Sequence, residues 1–489
     1  MRTNTVDFTS TQFRVLSDGQ IERIFLAALE LLEDPGTRVF SEEARDLLAK
    51  AGAVVDGNLA RIPAGLVQSM LAAVPQRIVV GNRDGERTLV LEGHNITFGT
   101  GSDCPFILDA ETGERRLFTK KDIEDAARVV DACPNLDFHM SLGLMSGVPT
   151  YSYDRHQAAA MIRNTRKPLC FTAMSRDGLA DILEMYYLIR GGRAAFETNP
   201  GFIIYLEPTT PLLHSKAAME KLIFSAQRFI PAIYTPCPML GATSPVTPAS
   251  ALAISVAEFL TGLVVSQLAR SGAPLIMGGV ASSMDMHTTI LTYGSPELHL
   301  LSAALTDISH WLRIPMFSTA GCSDSKIFDE QAAVEAALSI QAAALSGANL
   351  IHDIGFLESA LIGSHEMVVL SDEVIGMVKR FLRGVRVDDE TLALDLIKEV
   401  GPGGNFISTD HTAEHFRGEF WFPSLLDRSK YDAWEAAGKH TLGDRIRARV
   451  REIIATHAVP PLPAEVDAGI TRILAAADKK ASSEQTTLV

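Results

Sequence analysis

Glu207 closes the run GFIIYLE (201–207), an otherwise apolar stretch with Tyr205 two positions earlier. A carboxylate at the end of such a run is costly unless it is paired or used. A neighbouring arginine or a helix N-terminus would satisfy it without any chemistry. The run NLIHDIG (349–355) places His352 and Asp353 in a similar setting, with Phe356 just beyond. These two are either a satisfied buried pair or a working one. In GCSDSK (321–326) small residues precede Ser323 and Asp324. Such a loop is either a tight turn or a place where the backbone approaches a ligand closely. Other polar residues follow apolar runs elsewhere: Ser102 and Asp103, Arg176 and Asp177, Tyr234 and Cys237, Asp285 and His287. Met145, Met174, Met239 and Met284 read as core or pocket lining.

Several chemistries lack their residues. No H-E-x-x-H occurs and no H-x-H pair ends the first strand, so zinc has scattered histidines only. Lys326 is the nearest Schiff-base candidate and lies in a loop beyond its strand. There is no G-x-S-x-G elbow and no Walker loop. Carboxylates, aromatics, methionines and amides without a nucleophile suit a cation whose chemistry is done by an external nucleophile.

Eight short apolar runs must position these groups: 95–99, 137–145, 168–174, 201–207, 231–239, 274–280, 315–321 and 349–355. Helical stretches follow them, with caps at Thr119, Ser295 and Asp329, a proline after Thr247, and Gly347 as a stop. Continuous apolar strands alternating with helices predict a parallel sheet buried on both faces. Eight units predict a (β/α)8 TIM barrel within the α/β class, with functional residues at the strand C-termini. An open doubly wound sheet competes, but no G-x-G-x-x-G follows the first strand. The expected organisation is an N-terminal helical cap (1–94) ending in a short strand, a barrel (95–384), a C-terminal helical extension (385–480) and a frayed tail (481–489). One helix is expected over about 430–457.

The chain has 489 residues, 47% hydrophobic and 21% charged, which provides for a large core and excludes disorder over most of its length. Its net charge of −15 is a poor balance for nucleic-acid binding. Five cysteines with no C-x-x-C argue against a disulfide framework and fit a reducing cytoplasm. The start has no apolar signal-like region. Residues 249–281 are the most apolar stretch, but Glu258, Gln267, Arg270 and the break at 271–274 read as a buried helix and strand rather than a membrane span.

Three segments carry a resemblance: GFIIYLEPTTPLLH (201–214), PCPMLGATSPVTPASALA (236–253), and the long stretch STAGCSDSKIFDEQ… through VKRFLRG (318–384). In order, and with the cap and tail helices, the chain resembles the trimethylamine methyltransferase family of corrinoid-dependent methyltransferases. The resemblance implies a barrel enzyme that moves a methyl group from an amine to the cobalt of a separate corrinoid protein. The trimethylamine enzymes of the family carry pyrrolysine, and this sequence holds no non-standard residue. The expectation therefore moves to a quaternary amine of the glycine betaine, proline betaine or carnitine type. On this reading Tyr205, Tyr234, Phe356 and Glu207 face the ammonium. His352, Arg176 or the loop amides around Ser323 and Asp324 face a carboxylate. Two D-x-H triplets, at 154–156 and 285–287, lack the glycine of the D-x-H-x-x-G corrinoid motif. The methylcobalamin-type corrinoid is accordingly expected on a partner protein, with no cofactor or metal held by this chain. A homo-oligomer is compatible with it. A barrel lyase or isomerase acting on a small polar substrate, and a non-catalytic betaine-binding protein, are the competing functions.

Overall fold

The computed structural model describes residues 13–109 and 112–487. Seven strands form one parallel sheet: Thr97–Thr100, Leu169–Phe171, Phe202–Leu206, Ala232–Tyr234, Leu275–Gly278, Met316–Thr319 and Leu350–Ile354. The last of these pairs with the first, Leu350 opposite Thr97. The remaining gap is filled by the second run, through the parallel bridges Gly99–Phe138 and His139–Leu169. The barrel is therefore closed by eight staves, and they are called the first to the eighth strand in chain order below. The second is short because the chain turns at Leu142 (φ 63°), whose N–H donates to the Gly101 carbonyl.

The alternation of side chains along strands sorts the core into two parts. Phe138, Met140, Cys170, Ile203, Ile233, Ile276, Phe317 and Leu350 form one cluster inside the barrel. The hairpin Ile78–Gly81/Arg87–Leu91 adds Ile78, Val80, Leu89 and Leu91 to that cluster. It covers the N-terminal end of the interior. The outward residues pack under eight helices, one after each strand, from Lys120–Ala132 to His365–Leu382.

The cap residues do what their types allow. Asp329 accepts from the Ala332 N–H at 3.0 Å, and Gly347 ends the same helix in the left-handed region. Thr119 and Asp122 form a capping box, and Arg116 grips Asp122 with two bonds of 2.7 and 2.8 Å. Helix Pro248–Ala269 is the one described helix long and apolar enough to cross a membrane, and 83% of its apolar window is buried inside the protein. Its Glu258 is fully buried and accepts from the Leu212 N–H at 2.6 Å and the Thr210 hydroxyl at 2.8 Å. That carboxylate anchors the loop after the fourth strand.

Beside the helices Asp18–Glu33, Glu42–Lys50 and Ala64–Leu71, the N-terminal segment also carries strands. Val54–Asp56 and Leu59–Arg61 form a hairpin around Gly57-Asn58, a two-residue loop of the type that favours such turns. Thr37–Val39 joins it and pairs in parallel with Leu213–His214. The helix expected over 430–457 is two, Tyr431–Ala436 and Leu442–Thr456, parted by Gly438 at φ 101°. Helix Ala464–Thr487 runs through most of the tail expected to fray. Residues 1–12 and the last two of that tail lie outside the described residues.

Candidate active site

Tyr205 and Glu207 point the same way from the fourth strand, as residues two apart must. The Tyr205 hydroxyl donates to Glu207 Oε2 at 2.9 Å. The ring lies inside the barrel, 5.7 Å from Phe317 and 6.4 Å from His352 between centroids. Glu207 remains exposed at the mouth. Enclosure of the phenol pushes its ionisation well up, and the Glu207 charge adds to this. Tyr205 is a neutral donor with an apolar face.

Two more carboxylates stand at the mouth. Asp103 follows the first strand and Asp353 lies at the end of the eighth, both held in the left-handed region at φ 68° and 73°. Non-glycine residues adopt that region at some expense, and such residues gather at functional sites. Asp103 accepts from Ser102 Oγ at 2.8 Å and Thr172 Oγ at 3.3 Å. Burial raises its pKa; those two bonds oppose the rise, Glu207 adds to it and Lys221 opposes it. Asp353 accepts from Thr319 Oγ at 2.6 Å and sits 3.0 Å from His352 Nε2. Burial raises Asp353 and lowers His352. The His352 ring stacks on Phe317 at 3.9 Å and its Nδ1 meets the Ser318 carbonyl at 2.8 Å. Both its nitrogens are engaged, so it is fixed rather than free to shuttle protons.

Phe356 is buried beside Gly101, where no side chain fits. A Cβ there would come within 2.2 Å of the Phe356 ring and 2.4 Å of Asp353 Oδ1. Gly101 thereby lets the first strand and the loop after the eighth close on one another.

The structure brings Tyr205, Glu207, His352 and Phe356 to this end of the barrel. It does not bring Tyr234, which alternation turns outward. Its ring covers Gly262 of helix Pro248–Ala269 and its hydroxyl meets His214 Nδ1 at 2.6 Å. Arg176 starts the helix after the third strand and lies on the outer collar, 3.9 Å from Glu43, in a cleft shared with Tyr151 and Lys480. Ser323 and Asp324 support the loop instead of facing the opening. Ser323 Oγ donates to Glu335 at 2.5 Å and its N–H to the Phe356 carbonyl. The N–H groups of Gly321, Asp324 and Ser325 go to Ser339, Glu335 and Ser323 side chains. These amides are used internally and form no anion nest. Asp324 accepts from the N–H groups of Tyr293 and Gly294 at 2.7 and 3.0 Å.

That last contact exposes a residue the sequence reading passed over. Tyr293 is nearly buried among Asp353, Cys322, Cys237 and Cys104, and burial pushes its hydroxyl well up. Its position depends on a loop after the sixth strand, so strand-end spacing gives no sign of it. Lys221 is a second addition. It donates to the Ala173 carbonyl at 2.5 Å, and burial lowers its pKa against the pull of Glu207, Asp154 and Asp103. Cys237, from the fifth strand's extension, lies 4.0 Å from Glu207, and burial keeps its thiol protonated. No cluster of three or more metal-ligating side chains occurs among the described residues. The mouth can neutralise a cation with carboxylates and wrap it in tyrosine rings, and it supplies no activated nucleophile.

The chain matches the trimethylamine methyltransferase (MTTB) family over residues 2–482. It belongs to that family. It is 30% identical to a glycine betaine methyltransferase of Desulfitobacterium hafniense, over 97% of this chain and 99% of that one. A trimethylamine methyltransferase MttB of Desulfitobacterium hafniense is 32% identical over 94% and 92%. The Methanosarcina barkeri monomethylamine methyltransferase MtmB superposes with a TM-score of 0.51 at 11% identity, covering 91% of this chain and 88% of that one. The last likeness concerns the fold, and it agrees with the closed barrel. As a member of the trimethylamine methyltransferase family, the protein is an enzyme of the methyltransferase type.

Proposed function

We propose that this family member takes a methyl group from a quaternary amine of the betaine type and passes it to the cobalt of a separate corrinoid protein in the cytoplasm. The observation that carries the reading is the pairing of an exposed carboxylate, Glu207, with the Tyr205 hydroxyl at the C-terminal end of the barrel. Asp103 and Asp353 add acceptors beside it, and Tyr293 adds a second ring. Quaternary ammonium groups cannot donate hydrogen bonds. They are held by charge and by aromatic faces, at ~0.5–2 kcal/mol per ring.

A quaternary nitrogen already has a neutral leaving group. When the N–CH3 bond breaks, its electron pair stays on nitrogen and a tertiary amine departs. Nothing in the site has to donate a proton, which fits the locked His352 and the raised thiol of Cys237. The partner's corrinoid, when docked, supplies the nucleophile that accepts the methyl group. Glu207 and Tyr205 hold the cation, the hairpin covers the N-terminal end, and the open mouth leaves the methyl accessible to the partner. Orientation of this kind is the protein's contribution to the rate. The pocket also offers Lys221, beside these carboxylates, in place of Arg176, for an anionic end of the substrate.

Incubation with glycine betaine and a reduced corrinoid protein should yield the demethylated tertiary amine in step with methylation of the corrinoid. Binding without any product, across a panel of corrinoid partners, would assign the barrel a sensing role. Product formed without corrinoid would refute the external acceptor.

A further inference from the structure

Tyr293 is carried to the barrel mouth by a loop and not by a strand. It follows the hairpin Ser282–Met284/Leu291–Thr292 and stands two residues before the Ser295 cap of helix Pro296–Leu312. Its hydroxyl nevertheless stands among groups from four staves: Cys104 after the first, Cys237 after the fifth, Cys322 after the seventh and Asp353 on the eighth. The first and fifth staves of an eight-stave barrel lie opposite one another, so the side chain lies across the opening. Tyr205 shares these surroundings, with Cys237 and Tyr293 around it. A ring that reaches so far from a loop takes its place from its backbone.

A carboxylate holds that backbone. Asp324 accepts from the N–H groups of Tyr293 and Gly294 at 2.7 and 3.0 Å, one on each oxygen. Its Oδ1 also accepts from Ser359 Oγ at 2.8 Å, in the loop after the eighth strand. Ser359 and its neighbours Glu358 and Ala360 all lie in the left-handed region, at φ 53°, 48° and 70°. Such a run is unfavourable for L-residues and persists only where the surroundings over-determine it. Glu335 backs the arrangement by accepting from the Asp324 N–H at 2.8 Å. Gly294 lies so close to it that a Cβ there would come within 2.3 Å of the Glu335 carboxyl carbon. The Tyr293–Gly294 peptide is thus gripped between two carboxylates. The loops after the sixth, seventh and eighth strands converge on Asp324, a side chain that does not face the opening.

We propose that Asp324 is a positioning residue of the methyl-transfer site: its grip on the Tyr293–Gly294 peptide fixes the Tyr293 ring as an aromatic wall for the ammonium group. The proposal rests on the reading that the ammonium binds at this end of the barrel. Attraction between a cation and a ring acts within about 6 Å of the ring centre. A ring on an unanchored loop would lie outside that range much of the time, and each substrate would have to order it on binding. A hydrogen-bonded support around the ring removes that penalty in advance. Tyr205 needs no such support because its strand fixes it.

A double-mutant cycle separates this role from a structural one. Calorimetry with glycine betaine and with tetramethylammonium reads the dissociation constants of the wild type, Asp324→Asn, Tyr293→Leu and the double variant. In Asp324→Asn an amide NH2 replaces one acceptor, and one N–H of the pair loses its partner. Tyr293→Leu should weaken both ligands ~2- to 30-fold, the factor that corresponds to one ring. Asp324→Asn should weaken both by up to that factor, and should weaken neither further once Tyr293 is leucine. Tyr293→Phe keeps the ring and should keep the Asp324 effect. No loss in the wild-type background, or equal losses in both backgrounds, overturns the proposal, since a bare charge or a general loosening of the barrel acts without the ring. A loss confined to glycine betaine overturns it as well, by placing the effect at the substrate's carboxylate. If Asp324→Asn fails to fold, Gly294→Ala, which pushes the same peptide off Glu335, takes its place in the cycle and is read in the same way. A wild type that binds neither ligand overturns the cation site itself, and the positioning role with it.

Discussion

Replacing Glu207 by glutamine removes one charge and little else. The amide oxygen can still accept the Tyr205 hydroxyl, now at 2.9 Å, and the side chain is exposed, so no buried partner is orphaned. A cation about 4 Å from a carboxylate gains ~1 kcal/mol at the dielectric of water and ~4 kcal/mol at that of a protein surface. Glu207 sits at an open mouth, which places it towards the lower end. Asp103 and Asp353 remain beside it, with burial favouring the neutral form of both. The expected loss is ~1–2 kcal/mol, roughly 5- to 30-fold in the dissociation constant for glycine betaine. Titration calorimetry at two salt concentrations reads it, because the lost part is electrostatic and shrinks with screening. The thermal midpoint should stay within about a degree of wild type. Unchanged affinity at low salt would remove Glu207 from the cation site and with it the reasoning from the strand end.

Other variants separate the site from its supports. Tyr234→Phe leaves His214 Nδ1 without its partner, and His214 Nε2 already has none, so stability should fall by ~1–3 kcal/mol in denaturant melts with amine affinity unchanged. A parallel loss of affinity would return Tyr234 to the site. Gly101→Ala would press on the Phe356 ring and Asp353, and should lower both the melting temperature and the affinity; normal affinity would show that neither residue shapes the pocket. Burial raises the Glu258 carboxyl from 4.5 to about 7. The unfolded chain ionises there first, so this group's contribution falls as pH climbs from about 4.5 to 7, by up to ~3 kcal/mol. Denaturation midpoints across that range should decline less in Glu258→Gln than in wild type, and equal slopes would contradict the buried neutral acid.

The barrel was legible because its signals are local and repeated. Eight apolar runs, their helices and caps such as Asp329 follow from periodicity alone. The second run was read too long, since the turn at Leu142 is set by a bond to Gly101 from another strand. The placement of Glu207 and His352 at the barrel end was legible because a charge or imidazole ending an apolar run is unusual wherever the run lies. Tyr234 looked equivalent, yet strand register sends it outward, and one residue of register decides which face a side chain takes. Ser323 and Asp324 carry the residue types of an anion loop, but Glu335 on the next helix absorbs their donors. Tyr293 reaches the mouth only through Asp324, a contact between two loops that no spacing encodes. In the N-terminal segment, Gly57-Asn58 between Val54–Asp56 and Leu59–Arg61 was a hairpin signal inside a stretch that otherwise reads as helical.

The central claim is where the ammonium sits. A crystal structure of the protein soaked with glycine betaine at several times its dissociation constant tests it most directly. The trimethylammonium group should lie at the C-terminal mouth of the barrel, within van der Waals reach of the Tyr205 ring and beside the Glu207 carboxylate, with one methyl pointing out towards solvent. Betaine found instead on the outer collar beside Arg176, or with its methyls turned into the barrel interior, would contradict it.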